Sequence, residues 1–142
     1  MRRITPLLVC MSLALTVLPA LGKVPDRTPV FAIDRPTVIA FYPDTAKATG
    51  KYGDGDDSYS EFKLYSASAR QPLEMGGVDM QEVYTREFRV VLDGRTTTFR
   101  PKRKENGYYF VAPGKKPRIE YGVMSDQDIV RIAHEYFGNA MK

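Results

Sequence analysis

The chain has 142 residues, with 21 basic and 17 acidic side chains, a net charge of +4, one histidine and one cysteine. That length suits one domain with a real core. A single cysteine excludes an internal disulfide and a paired-thiol redox centre, and one His with one Cys cannot supply the usual nitrogen and sulfur ligands of zinc, so no cofactor is expected.

Met1-Arg2-Arg3 forms a short basic start, Leu7 to Leu18 an apolar run, and Pro19 with Ala20-Leu21-Gly22 a small-residue exit. This is the layout of a secretory signal peptide, with cleavage expected between Gly22 and Lys23. The apolar run of 12 residues falls short of the roughly 20 needed to span a bilayer as a helix. Cys10 lies inside this segment, so residues 23–142 are free of cysteine. The expected destination is the periplasm or the exterior of a bacterial cell, with no membrane-spanning segment after signal removal.

Residues 23–36 read as an extended lead-in, because Pro25, Pro29 and Pro36 oppose regular structure; Val30 to Ile33 could still pair briefly. Thr37 to Tyr42 is a continuous apolar run ended by Pro43-Asp44 and fits a strand buried on both faces. Ala46 to Asp57, rich in Gly, Asp and Lys, reads as a loop. Asp57 or Ser58 is the expected cap of a helix whose apolar stripe is Phe62, Tyr65, Ala69 and Leu73. Pro72 should kink or end that helix, and Gly76-Gly77 should terminate it.

Val78 to Thr85 is the expected next strand. Phe88 to Leu92, Asp93-Gly94 and Thr96 to Phe99 spell a hairpin. After Asn106-Gly107, Tyr108 to Val111 and Arg118 to Tyr121 form a second hairpin, with Pro113-Gly114 suited to the centre of a type II turn. Gly122 should break the strand, and Ser125 should cap a final helix with the apolar face Ile129, Ile132, Ala133, Tyr136 and Phe137, ended by Gly138. The expected core is Val38, Ile39, Phe41, Phe62, Tyr65, Leu73, Phe110, Ile119, Ile129, Ile132 and Phe137.

The order strand, helix, strand, hairpin, hairpin, helix resembles the thioredoxin-like superfamily. The likeness is best from Tyr109 to Phe137, with Gly122, Ser125 and Ile129 in the expected places, and Thr37 to Tyr42 resembles the family's central strand. It implies an α/β fold (α+β as the variant) over residues 37–142, with a central mixed sheet of four or five strands and two main helices. The two helices are expected to share one face, because the family's second core helix is replaced by the hairpin across Asp93-Gly94. The family's Cys-x-x-Cys has no counterpart after Tyr42, so the resemblance implies a redox-inactive member. Its cis-proline would precede the Tyr108 strand, where Pro101 is the nearest candidate.

In such a fold the end of the central strand is where partners approach, which singles out Tyr42, Pro43 and Asp44 as partner-binding candidates. A second candidate comes from charge. Residues 95–118 carry eight basic residues against Glu105 alone, and within them Arg100, Lys102, Arg103 and Lys104 form a basic cluster. Charged loop tips that guard strand edges are the plainer explanation of that segment. Asp54, Asp56 and Asp57 are weak candidates for a hard cation, lacking the spacing of a calcium loop. His134, the lone histidine, has no catalytic context in the sequence. The favoured reading is an exported, non-catalytic, monomeric domain that binds an envelope protein. The alternatives are a binder of polyanions or lipid headgroups through residues 95–118, and an enzyme with an unrecognised carboxylate or tyrosine site. Nucleic acid is not an expected partner.

Overall fold

The computed structural model describes residues 25–44 and 57–141. The expected signal segment and the loop at 45–56, with Asp54 and Asp56, lie outside the described residues.

The elements run β1 (Val30–Ala32), β2 (Thr37–Phe41), α1 (Asp57–Met75), β3 (Asp79–Val83), β4 (Phe88–Leu92), β5 (Arg95–Phe99), β6 (Gly107–Val111), β7 (Arg118–Tyr121) and α2 (Asp126–Phe137). They make a mixed α/β structure with two sheets. One sheet has the order β3-β2-β6-β7; β2 and β3 are parallel, and β6 runs antiparallel to both β2 and β7. The other has the order β1-β4-β5, with β1 parallel to β4 and β4 antiparallel to β5.

β2 explains its own composition. All five of its residues are buried, because both faces of the sheet are covered. Val38 and Ala40 face the helices, in a core with Phe62, Leu73, Phe110, Ile129 and Phe137. Ile39 and Phe41 point the other way, into a second core with Phe88, Val90, Tyr109 and Val111. Both helices therefore pack on one face, as expected, and the three-stranded sheet covers the other. The layer between the sheets is aromatic: Phe41 meets Phe99 of the other sheet at 5.2 Å and Tyr121 of its own sheet at 5.9 Å, and Phe88 meets Tyr109 across the layer at 5.7 Å between ring centroids. Edge-on ring pairs of this kind add about 0.5–1.5 kcal/mol beyond area burial.

The helix ends follow local chemistry. α1 closes on Gly77 at φ 81°, with the Val78 N–H donating to the Leu73 carbonyl at 2.9 Å and the Gly77 N–H to the Glu74 carbonyl at 3.0 Å. This is the two-bond glycine ending, and Val78 and Leu73 share the core beneath it. At α2 the Ser125 hydroxyl accepts from the Asp128 N–H at 3.2 Å. Asp93 and Gly94, at φ 50° and 77°, make the β4–β5 turn. Gly114 at φ 74° makes the turn closed by Lys115 N–H to the Ala112 carbonyl at 3.3 Å.

Several expectations need correction. Ile119 is 38% exposed, because β7 is an edge strand and its outer side is only partly covered. Tyr65 is only partly buried, at the margin of the helix-side core. α1 continues through Pro72 to Met75; the missing proline donor would have served the carbonyl of Ser68, which is exposed and open to water. Ser58 lies within the first turn of α1, and its hydroxyl shares a hydrogen bond with Tyr42. Pro101 is buried but trans, as is every peptide bond among the described residues. Val30–Ala32 is a true strand of the second sheet, held by Arg89 N–H to the Pro29 carbonyl at 2.8 Å.

Candidate functional site

β2 ends at Phe41, and the chain passes through Tyr42, Pro43 and Asp44 toward the start of α1. The Tyr42 ring packs against Tyr59 and Phe62, with centroids at 5.3 and 5.2 Å, and is 3% exposed. Its hydroxyl and the Ser58 Oγ share a hydrogen bond of 3.0 Å. Tyr42 is therefore a wall of the site whose ring belongs to the core. Pro43 is buried and Asp44 half-buried.

Opposite this strand end sits the segment that leads into β6. A single 3-10 turn, Lys102–Lys104, follows the buried Pro101. Arg103 and Lys104 both take left-handed backbone angles, φ 54° and 56°. Side chains disfavour that region by roughly 1–2 kcal/mol per residue. The strain is held by surrounding hydrogen bonds. The Lys102 N–H donates to the Tyr121 hydroxyl at 3.1 Å, the Glu105 N–H to the Lys102 carbonyl at 3.0 Å, and the Gly122 N–H to the Asn106 carbonyl at 2.9 Å.

The result is a small cleft of about 130 Å³. Tyr42, Pro43, Asp44 and Ser58 line one side; Arg103, Lys104, Glu105 and Asn106 line the other. The Nδ2 of Asn106 is buried without a hydrogen-bond partner among the described residues. Two candidate surfaces separate in the sequence thus meet: half of the basic cluster faces the end of the central strand. The other half does not. Arg100 is exposed and bound to Glu87 at 2.6 Å, and Lys102 is exposed and not part of the cleft lining.

The remaining candidates carry less. Asp57 is the first residue of α1 and its side chain lies outside the described set. Among the described residues no three His, Cys, Asp or Glu side chains gather where a metal could sit. His134 is exposed in the last turn of α2, beside Arg131 and Pro72. Glu105, Asn106 and Ser58 were missed as site residues. Asn106-Gly107 signals only a turn, and its approach to Tyr42 depends on the pairing of β2 with β6.

A cleft of this size lies well below the ~300–1,000 Å³ of ordinary small-molecule sites. It can seat one side chain or one small charged group among two carboxylates, Asp44 and Glu105, and two cations, Arg103 and Lys104. Compared with protein-family models, curated proteins and solved structures, the chain matches none. Among the described residues no helix is long and apolar enough to cross a membrane.

Proposed function

We propose that this chain is exported, loses its first 22 residues, and acts as a non-catalytic, thioredoxin-like module that grips an envelope protein at the end of β2. The thioredoxin-like assignment is supported by the strand order β3-β2-β6-β7 with β6 alone running against the others, and by α1 and α2 sharing a face. The absence of cysteine from residues 23–142 supports a binding role over thiol chemistry. The departures are the hairpin and second sheet on the opposite face and the trans Pro101.

One observation carries the binding role. Arg103 and Lys104 are held in consecutive left-handed conformations against the strand end, where an ordinary loop would relax. Backbone strain maintained by its surroundings is a mark of functional positions. The charged cleft then recognises one acidic or polar side chain of the partner, and the neighbouring surface supplies the remaining area.

The test is capture from envelope extract with two charge-reversed variants, R103E/K104E at the cleft and R100E/K102E beside it. A protein retained by the wild type and by R100E/K102E but lost from R103E/K104E supports the cleft. Equal loss from both variants, with steep weakening in salt, favours polyanion binding through the basic segment instead. Retention by both refutes the two readings together. Intact mass of the protein from the envelope should show the first 22 residues gone; a full-length cytoplasmic product would contradict export.

A further inference from the structure

The β4–β5 hairpin is fastened to the β6–β7 hairpin at its two ends and left open between them. At the tips, the Asp93 carboxylate accepts from the Gly114 N–H at 2.9 and 3.1 Å. At the base, the Lys102 N–H reaches the Tyr121 hydroxyl at 3.1 Å. Between these ties lies a groove of about 670 Å³, on the far side of the sheet from the helices. That volume falls within the ~300–1,000 Å³ of small-molecule sites.

The groove is polarised along its length. Its floor and walls are Val90, Leu92, Phe99, Tyr109 and Ile119. Ile119 is among the few large apolar side chains of the described residues left exposed, at 38%. Tyr109 is 5% exposed and burial alone raises its hydroxyl pKa; that hydroxyl has no hydrogen-bond partner among the described residues. The tip end carries Arg95 and Lys116, neither of them in an ion pair among the described residues. The acid beside them, Asp93, is engaged by the Gly114 backbone. Strand register sets this polarity: Leu92 pairs with Arg95 near the tip, Val90 with Thr97 further in, and Phe88 with Phe99 at the base.

We propose that this groove binds a single-chain amphipathic anion of the fatty-acid type. Its carboxylate sits between Arg95 and Lys116, and its apolar chain runs inward over Val90 and Ile119 toward Phe99 and Tyr109. The Tyr109 ring closes the inner end of the groove. This site is separate from the strand-end cleft and does not depend on that reading.

Calorimetric titration with dodecanoate tests it, using protein recovered from the expressing cell with its N-terminus verified by mass. The expected result is saturable binding of one dodecanoate per chain, with no binding of acetate, which has the head and lacks the tail. R95E/K116E should weaken binding by at least about tenfold, the scale of one charge-assisted contact. Thr97 is exposed on β5, so T97W should block the groove while leaving the melting temperature unchanged. No saturable binding overturns the proposal, as does equal affinity for an uncharged dodecyl glycoside. Unchanged affinity in both variants overturns it too. So does sedimentation with anionic phospholipid vesicles without dodecanoate binding, which would make the face a membrane contact. A dimer that dissociates in I119S would assign the groove to a second copy and equally overturn it.

Discussion

At the scale of single residues, exposure separates positions that look alike in sequence. Phe110, on β6 beside β2, is fully buried against the helices, while Ile119 stands on the edge strand. Phe110→Ala should cost about 3–5 kcal/mol in urea unfolding. Ile119→Ser should cost under about 1 kcal/mol, since a partly exposed side chain loses little on truncation. Arg103 gives the opposite sign. Replacing it with Gly removes a left-handed penalty of roughly 1–2 kcal/mol and adds roughly 0.5–1 of chain entropy, so Arg103→Gly should stabilise by about 0.5 kcal/mol. The same change should weaken partner capture, a split that a purely structural loop would not produce. Buried phenols set the alkaline limit. Burial pushes the hydroxyls of Tyr84, Tyr108, Tyr109 and Tyr136 up, Tyr84 to about 12 with the Glu82 charge adding to the effect. A folded value above the unfolded 10.0 means the neutral form is favoured by the fold. That contribution is complete below pH 10 and fades as pH rises through the folded values. Melting temperature should therefore fall between about pH 10 and 12 in step with tyrosinate absorbance. A melting temperature unchanged across that window would contradict the burial of these rings.

At the scale of elements, what was legible in the sequence is what is encoded locally. The α2 signal sits in one short stretch: a Ser cap, Asp126 and Asp128 in the first turn, and apolar residues at helical spacing, all of which the structure keeps. Ser125→Ala should cost about 1 kcal/mol, read as a lowered urea midpoint with an unchanged slope. Asp93-Gly94 and Pro113-Gly114 are equally local and both make their turns. The second sheet was not legible, because β1 finds a parallel partner in β4 that no neighbouring residue announces. Ile119 was misjudged because alternation in Arg118–Tyr121 shows which residues share a face, but not whether that face is covered. Half of the site was readable from the end of the β2 run. Its other half was not, since Arg103 and Lys104 reach Tyr42 only through the β2–β6 register.

At the scale of the whole molecule, three layers divide the labour. The helices cover one face of the central sheet, and the aromatic three-stranded sheet covers the other. The ends of the central sheet are left to the charged cleft, and its β7 side to the open groove. This arrangement packs the central sheet on both faces without a disulfide among the described residues and leaves two separate surfaces for recognition. The central claim is that the cleft at the end of β2 is the partner contact, and site-specific photo-crosslinking in intact cells tests it most directly. Glu105, exposed at the cleft, and Thr98, exposed on β5 away from it, each receive the photo-reactive side chain. The expected result is a discrete adduct with one envelope protein from position 105, abolished by R103E/K104E, and none from position 98. Adducts of equal yield from both positions, or from position 98 alone, would contradict it.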